Sequence, residues 1–387
     1  MRKDFLPFAK PCIGEDAVAD VADTIRSGWL AMGARTARFE ESFAHYTGAR
    51  YALAVNSATA GLHCAMMALG IGAGDEVITT PMTFAATVNA VIFTGAKPVF
   101  ADIDRNTLCI TPENIESAIT EKTKAVIPVH FAGMPCDMDS IEKIADTHGL
   151  AVVEDAAHAL GAEYRGRRIG AGRGPRRLAV FSFHPTKNIT TGEGGMVCTD
   201  DEELAEKIMM LRQNGMSKGA WNRYAAKGRA DYDIFFPGLK YTMTDIQAAI
   251  GNSQMRQLES FNRRRAEIVS FYMNELSGLP GIILPRPAPW PHKHCRHIFT
   301  PLIDRDLAGF SRDEFMLRMR ERNIGTALHY RALHLFSCYR DMTGVSPGSL
   351  PEAEYVSDSI VSLPLFPAMT DGDAKDVVSA VKEICSL

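Results

Sequence analysis

The chain has no closely paired cysteines, no excess of positive charge and no uninterrupted apolar run of membrane length, and each absence removes a class of function. Its eight cysteines, Cys12, Cys64, Cys109, Cys136, Cys198, Cys295, Cys338 and Cys385, form no CxxC spacing. That argues against a disulfide framework or a structural zinc site and for reduced intracellular thiols. Lysine and arginine number 42 against 46 aspartates and glutamates, a net charge of −4, so no electrostatic footprint points to nucleic acid or an anionic membrane. The longest apolar stretch, Tyr51 to Gly74, is interrupted by Asn56, Ser57, Thr59 and His63, and no transmembrane helix is expected from it. Residues Met1 to Phe8 lack the apolar core of a secretion signal. Internal repeats and low-complexity segments are missing too. The expectation is a cytoplasmic enzyme, with no membrane insertion and no nucleic-acid partner.

At 387 residues the chain is long for one compact domain, and two are expected. Between residues 50 and 200 short apolar runs at 52–55, 76–80, 98–101, 125–129, 151–154, 178–183 and 195–199 alternate with helical patterns. Leu62, Ala65, Met66 and Leu69, for example, recur at helical spacing. This alternation predicts an α/β unit over 1–241, a mostly parallel sheet covered by helices on both faces, with ligands at the carboxyl ends of its strands. A second, smaller α+β unit is expected over 242–387. Thr244-Asp245-Ile246-Gln247 reads as a capping box opening a long helix toward Leu276, with Arg263, Arg264 and Arg265 on its solvated face. Further elements are expected at 297–303, at 311–322 with Ser311 as cap, and at 373–384. Pro285 to Pro291 reads as a rigid extended connector.

The chemistry concentrates around one lysine. Lys187 follows an apolar strand and precedes the glycines Gly192, Gly194 and Gly195, a setting in which a desolvated amine forms a Schiff base. Asp155 ends another apolar strand, and a buried ionised carboxylate needs a cationic partner such as the pyridinium nitrogen of pyridoxal phosphate. The small residues Ser57, Ala58 and Thr59 sit between a strand and a helix, where free backbone N–H groups and the positive helix end accept a phosphate. Ser182 is placed to add a hydroxyl, and Phe84 to stack on a pyridine ring. A simple serine or threonine cap, a loop lysine and a core phenylalanine are the plainer readings of the same positions. His292, His294, Cys295 and His297 fit no zinc spacing, since alternation along a strand sends neighbours to opposite faces, so sugar contacts or packing are expected and no metal.

Together these motifs resemble the DegT/StrS-type nucleotide-sugar aminotransferases, which are fold type I pyridoxal-phosphate enzymes. The resemblance rests on Pro11-x-Ile13-Gly14, Ser27-Gly28-Trp29, Glu154-Asp155-Ala156-Ala157-His158, Ser182-Phe183-His184-x-x-Lys187, Tyr241-x-Met243-Thr244-Asp245 and Leu363-Pro364-Leu365-Phe366-Pro367. It implies that Lys187 carries the cofactor, that Asp155 pairs with its ring nitrogen, that His158 packs beside the ring, and that Ala58, Thr59 and Ser182 hold its phosphate. Trp29, His184, His329, Tyr330 and Arg331 are implied as substrate contacts. Many relatives place Asn where Lys240 stands, reaching the phosphate in a neighbouring subunit, which implies a homodimer with shared sites. Glutamate with 2-oxoglutarate, and a keto-sugar nucleotide, are the implied substrates. Within the family the chain is most similar to the branch that makes UDP-4-amino-4-deoxy-L-arabinose for lipid A. It departs from that branch at Phe84, where Trp is usual, and in an enlarged loop from Gly172 to Arg177. Another 4-keto-hexose nucleotide is the alternative substrate, and a non-catalytic regulator on the same fold is the alternative class.

Overall fold

A computed structural model describes residues 2–172, 174–216 and 233–386; Arg173 of the loop just mentioned lies outside the described residues. Seven strands form the main sheet, in the spatial order Tyr51–Val55, Gly195–Thr199, Arg177–Ser182, Ala151–Asp155, Thr123–Ile127, Glu76–Thr79, Lys97–Phe100. All run in one direction except Gly195–Thr199, which pairs antiparallel with both neighbours. The expected runs therefore become strands with ends shifted by one or two residues, the usual uncertainty of strand ends.

The strands carry apolar residues on both faces rather than on alternate positions only, because both faces are covered. Ala52, Ala54, Ile78, Val126, Val152, Ala179 and Phe181 belong to one core cluster. Their alternates Leu53, Val55, Val77, Ala125, Ile127, Val153 and Val180 belong to the cluster on the other face. On that second face lies the helix Ala58–Ala68, held close by Gly61. A Cβ there would stand 2.7 Å from a methyl of Val180.

The long helix Asp245–Glu275 opens with the expected capping box, Thr244 and Gln247 each bonding the other's backbone. Its first half packs into the core of the main sheet through Ala248, Leu258 and Phe261. Its second half packs through Ile268, Val269 and Tyr272 into a separate core with the helices Arg312–Glu321 and Asp371–Cys385. The N-terminal segment joins this second core: Leu6 bridges to Ile324 and is buried. The arginine triplet departs from expectation. Arg263 is exposed, but Arg265 is only 3% exposed. Three consecutive helical residues sweep about 200° of the surface, so on a helix covered from two sides one of them must turn inward.

Asp245 itself ties the helix to the rest. Its carboxylate, 1% exposed, accepts hydrogen bonds from the backbone N–H groups of Gly33, Arg35 and Thr36 at 2.8, 3.1 and 2.9 Å and from the Thr36 hydroxyl at 2.8 Å. These are orphan donors at the start of the helix Ala34–Thr47. Asp245→Asn turns one acceptor into a donor facing donors, and should lower the unfolding free energy by about 2–4 kcal/mol. Urea titrations of the two proteins measure this; equal midpoints would remove the assignment.

Candidate active site

The carboxyl ends of the parallel strands open into a cavity of about 610 Å³. Eleven of the residues singled out in the sequence line it: Ser57, Ala58, Thr59, Phe84, Asp155, His158, Ser182, His184, Lys187, His329 and Tyr330. Three do not. Trp29 stands on the surface with its indole N–H donating to the Met32 carbonyl at 3.3 Å. The Arg331 guanidinium is turned to the Leu335 carbonyl at 3.0 Å and lies over the Phe336 ring. Neither reaches the cavity of its own chain, because local backbone and ring contacts hold each side chain away. Lys240 is exposed, its backbone bridged to Gln213, and lies outside this chain's cavity.

At the phosphate end, Ser57 is the helix cap, its hydroxyl accepting from the Ala60 N–H at 3.1 Å. The plain capping role and the anion role coexist, since the N–H groups of Ala58 and Thr59 precede the first intrahelical bond and face the cavity end. The neighbouring strand presses directly on this turn. A Cβ on Gly195 would meet the carbonyl carbon of Ser57 and the nitrogen of Ala58 at 2.6 and 2.7 Å, so the contact requires glycine. Ser182 pairs with Gly195 across the sheet, which brings its hydroxyl to the same end. This donor set fits the phosphate of pyridoxal phosphate.

Asp155 ends its strand 6% exposed. One oxygen accepts from the Thr87 hydroxyl at 2.7 Å, itself 2.7 Å from that of Thr83. The other accepts from the Ala157 N–H at 3.1 Å. The carboxylate is thus oriented, with acceptor capacity left for a ring N–H.

His158 is buried, and the backbone N–H of Ala132 donates to its Nδ1 at 3.2 Å. Nδ1 therefore carries no proton, and Nε2–H donates to the Tyr330 hydroxyl at 3.1 Å. Burial, and then the charges of Lys187 and His329, hold this ring's pKa well below the ordinary histidine value. It stays neutral. Burial, and then Asp155, raise the pKa of Tyr330, so its hydroxyl keeps a proton to donate.

The Lys187 amine is pulled down to about 8 by burial, against an opposing pull upward from Asp155. The backbone N–H of Lys187, by contrast, donates to the His184 carbonyl at 2.9 Å.

The histidine run packs behind this site. Cys295 Sγ donates to the His158 carbonyl at 3.0 Å, and the His297 ring lies 4.4 Å from that of His158. Residues not anticipated from sequence include Thr83, Thr87, Phe8, Thr186 and Glu193. Thr83 and Thr87 are four apart at a helix start, a spacing that puts two hydroxyls on one side, but their carboxylate partner lies 68 positions away.

The doubly covered sheet with its cavity at the strand ends is shared with sugar aminotransferases that use pyridoxal phosphate, and the chain is a pyridoxal-phosphate-dependent aminotransferase of fold type I. The chain belongs to the DegT/DnrJ/EryC1/StrS aminotransferase family, whose model matches residues 11–382. It is 50% identical over 386 residues to the uncharacterized protein MJ1066 of Methanocaldococcus jannaschii, covering 100% of this chain and 99% of that one. It is 46% identical over 387 residues to the spore coat polysaccharide biosynthesis protein SpsC of Bacillus subtilis, covering 99% and 98%. It superimposes with a TM-score of 0.88 on S. venezuelae DesV, solved with a ketimine intermediate, at 37% identity over 99% of this chain and 100% of that one. The cofactor is pyridoxal phosphate and the reaction is amino transfer to a keto-sugar. Among the described residues no helix is long and apolar enough to cross a membrane.

A lysine titrating near 8 loses its proton at far lower pH than a solvated one. In the cofactor-free protein, acetic anhydride labelling of Lys187 should rise with pH through a midpoint of about 8. Quantitative peptide mass spectrometry gives the curve; a midpoint at the solvated-lysine value would contradict the desolvated site.

Proposed function

We propose that the protein moves the amino group of glutamate onto the 4-keto carbon of a nucleotide-linked sugar, with Lys187 as proton carrier and Asp155 as electrostatic partner. The observation that carries this reading is that Lys187 and Asp155 line one cavity and interact there, beside a helix start suited to phosphate. When bound, pyridoxal phosphate supplies an electron sink for negative charge at the reacting carbon. Asp155, oriented by Thr87 and the Ala157 N–H, holds a proton at the ring nitrogen. Ala58, Thr59 and Ser182 fix the phosphate. Lys187 would hold the cofactor through its amine and, as a neutral base, would take the proton from the donor's α-carbon. In the second half-reaction it returns a proton to the sugar carbon. His158 would pack beside the bound cofactor, and through its Nε2–H it orients the Tyr330 hydroxyl, whose remaining proton is free for a sugar oxygen.

For the sugar, the first candidate is a UDP-linked 4-keto-pentose giving UDP-4-amino-4-deoxy-L-arabinose, as in lipid A modification. His329 and Tyr330 on the cavity wall support it. A specific observation favours a second reading, a 4-keto-6-deoxyhexose nucleotide for a surface polysaccharide. Arg331, one of the residues behind the pentose resemblance, is committed to Leu335 and Phe336, and SpsC is named for spore coat polysaccharide biosynthesis. The two sugars differ by one methyl, worth about 1–3 kcal/mol in an apolar pocket. With both offered at equal concentration beside glutamate, the pentose reading expects an excess of the pentose product of about 10-fold or more. An excess of aminated hexose transfers the assignment to the hexose, and no amino sugar from either refutes both.

The exposed Lys240 supports a homodimer in which each subunit completes the other's phosphate site. Mixed Lys187→Ala and Lys240→Ala protomers should regain activity that neither variant shows alone, through one native site per heterodimer. Absence of complementation would make each subunit self-contained.

A further inference from the structure

The turn that carries Lys187 is held from behind by one stripe of the long helix. Gln254, Leu258, Asn262 and Arg265 recur at i, i+4, i+8 and i+11, the spacing of a single helix face. Gln254 accepts from the Thr190 N–H at 3.3 Å and donates to the Cys12 carbonyl at 2.8 Å. Asn262 accepts from the Asn188 amide at 2.7 Å and donates to the Leu160 carbonyl at 3.0 Å. The third contact is the unusual one: the guanidinium of Arg265, 3% exposed, donates from Nη2 to the carbonyl of Lys187 itself at 3.3 Å.

Arg265 has no carboxylate against it. Among the described residues its Nε and Nη1 meet no hydrogen-bond acceptor, and burial pulls its pKa down to about 10. Burying a cation without a counter-charge is expensive, and an apolar side chain of the same volume would fill the space at no such cost. What an apolar residue cannot supply is a donor to the Lys187 carbonyl.

We propose that Arg265 is a positioning residue of the transamination site, a buried guanidinium that fixes the peptide of Lys187 so that its amine is held in the cavity that Asp155 also lines. This rests on the reading of Lys187 as the amine that takes the cofactor. The side chain of Lys187 enters the cavity while its carbonyl points to the helix, so the contact acts at the root of the reacting group. Without it the turn is still held at Asn188 and Thr190 and by the Lys187 N–H bond to His184, but the Lys187 carbonyl loses the donor that fixes its peptide plane. A misplacement of about 1 Å at a reacting atom costs on the order of 10²-fold in rate.

The test compares Arg265→Met, which keeps volume and loses the donor, with Arg265→Lys, which keeps charge and one donor, and with Arg263→Met on the solvated side of the same helix. Three quantities are measured: the single-turnover rate of the holoenzyme with glutamate and its KM, the thermal midpoint, and the pH midpoint of Lys187 acetylation in the cofactor-free protein. Arg265→Met should lower the rate by about 10²-fold with little change in KM. It should also move the acetylation midpoint upward from about 8, because a loosened lysine gains water, which favours the ammonium. Asp155, His158, His297 and His329 are the other titratable groups that interact with this amine, and all are unchanged in these variants. Arg265→Lys should recover part of both effects, and Arg263→Met should match wild type. If Arg265→Met does not fold, Arg265→Lys carries the test, with smaller changes of the same sign. A folded variant with wild-type rate and midpoint overturns the proposal, as does a rate that falls only with the thermal midpoint while the acetylation curve stays in place. Borohydride reduction of the wild-type holoenzyme separates the two levels: pyridoxyl recovered on another lysine would sink the reading of Lys187, whatever Arg265 does.

Discussion

The register of neighbouring strands sets the distances on which the site depends. Val55 and Ser182 both pair with Gly195, and Asp155 pairs with Val180, two residues before Ser182. These residues share the sheet face on which the Ala58–Ala68 helix lies, so the cap at Ser57, the hydroxyl of Ser182 and the carboxylate of Asp155 converge at one edge of the sheet. Strand side chains alternate with period two. A slip of one residue in any of these strands would send its functional group through to the opposite core. Gly61 and Gly195 enforce the rest, the first by letting the helix approach Val180, the second by admitting the Ser57–Ala58 backbone.

Burial then determines what these groups can do. The cavity wall removes water from Lys187, His158, His329 and Tyr330, and in each case desolvation is the leading cause of the shift. The three bases are pushed toward neutrality and the phenol away from ionisation. Asp155 is the group that opposes this, by attracting charge onto Lys187. Hydrogen bonds from Thr87 and Ala157 satisfy it as an anion, so it does not need the lysine as a permanent ion-pair partner. The amine is left titratable near neutral pH, where it can both give and take a proton.

Features governed by local chemistry were legible in the sequence. Apolar runs gave the strands, Thr244 and Gln247 gave the start of the long helix, and the strand-end position of Asp155 gave its place at the cavity. Residues whose role depends on a distant partner were not. Thr87 matters because the sheet brings it 2.7 Å from Asp155. Arg265 reads as one of three adjacent surface charges until the helix is seen to be covered on the side it faces. The same limit explains Arg331 and Trp29: the motifs around them resemble the family, but short-range bonds to Leu335 and Met32 set where their side chains point. Motif resemblance carries a residue's identity without its rotamer.

In the proposed reaction, proton transfer and covalent attachment would make opposite demands on Lys187. Attachment needs an unprotonated amine at a fixed point, and proton transfer needs freedom to move between the substrate carbon and the cofactor after release. A lysine has a long flexible stem, so the second demand is easily met and the first is the difficult one. Fixing the root of the stem rather than its tip satisfies both. The helix stripe of Gln254, Asn262 and Arg265 grips the Thr190 N–H, the Asn188 side chain and the Lys187 carbonyl, and among the described residues it leaves the amine itself free of protein hydrogen bonds to break. On this view the precision of the site resides in the packing of the long helix against the turn, and the cavity wall needs only to stay dry and shaped.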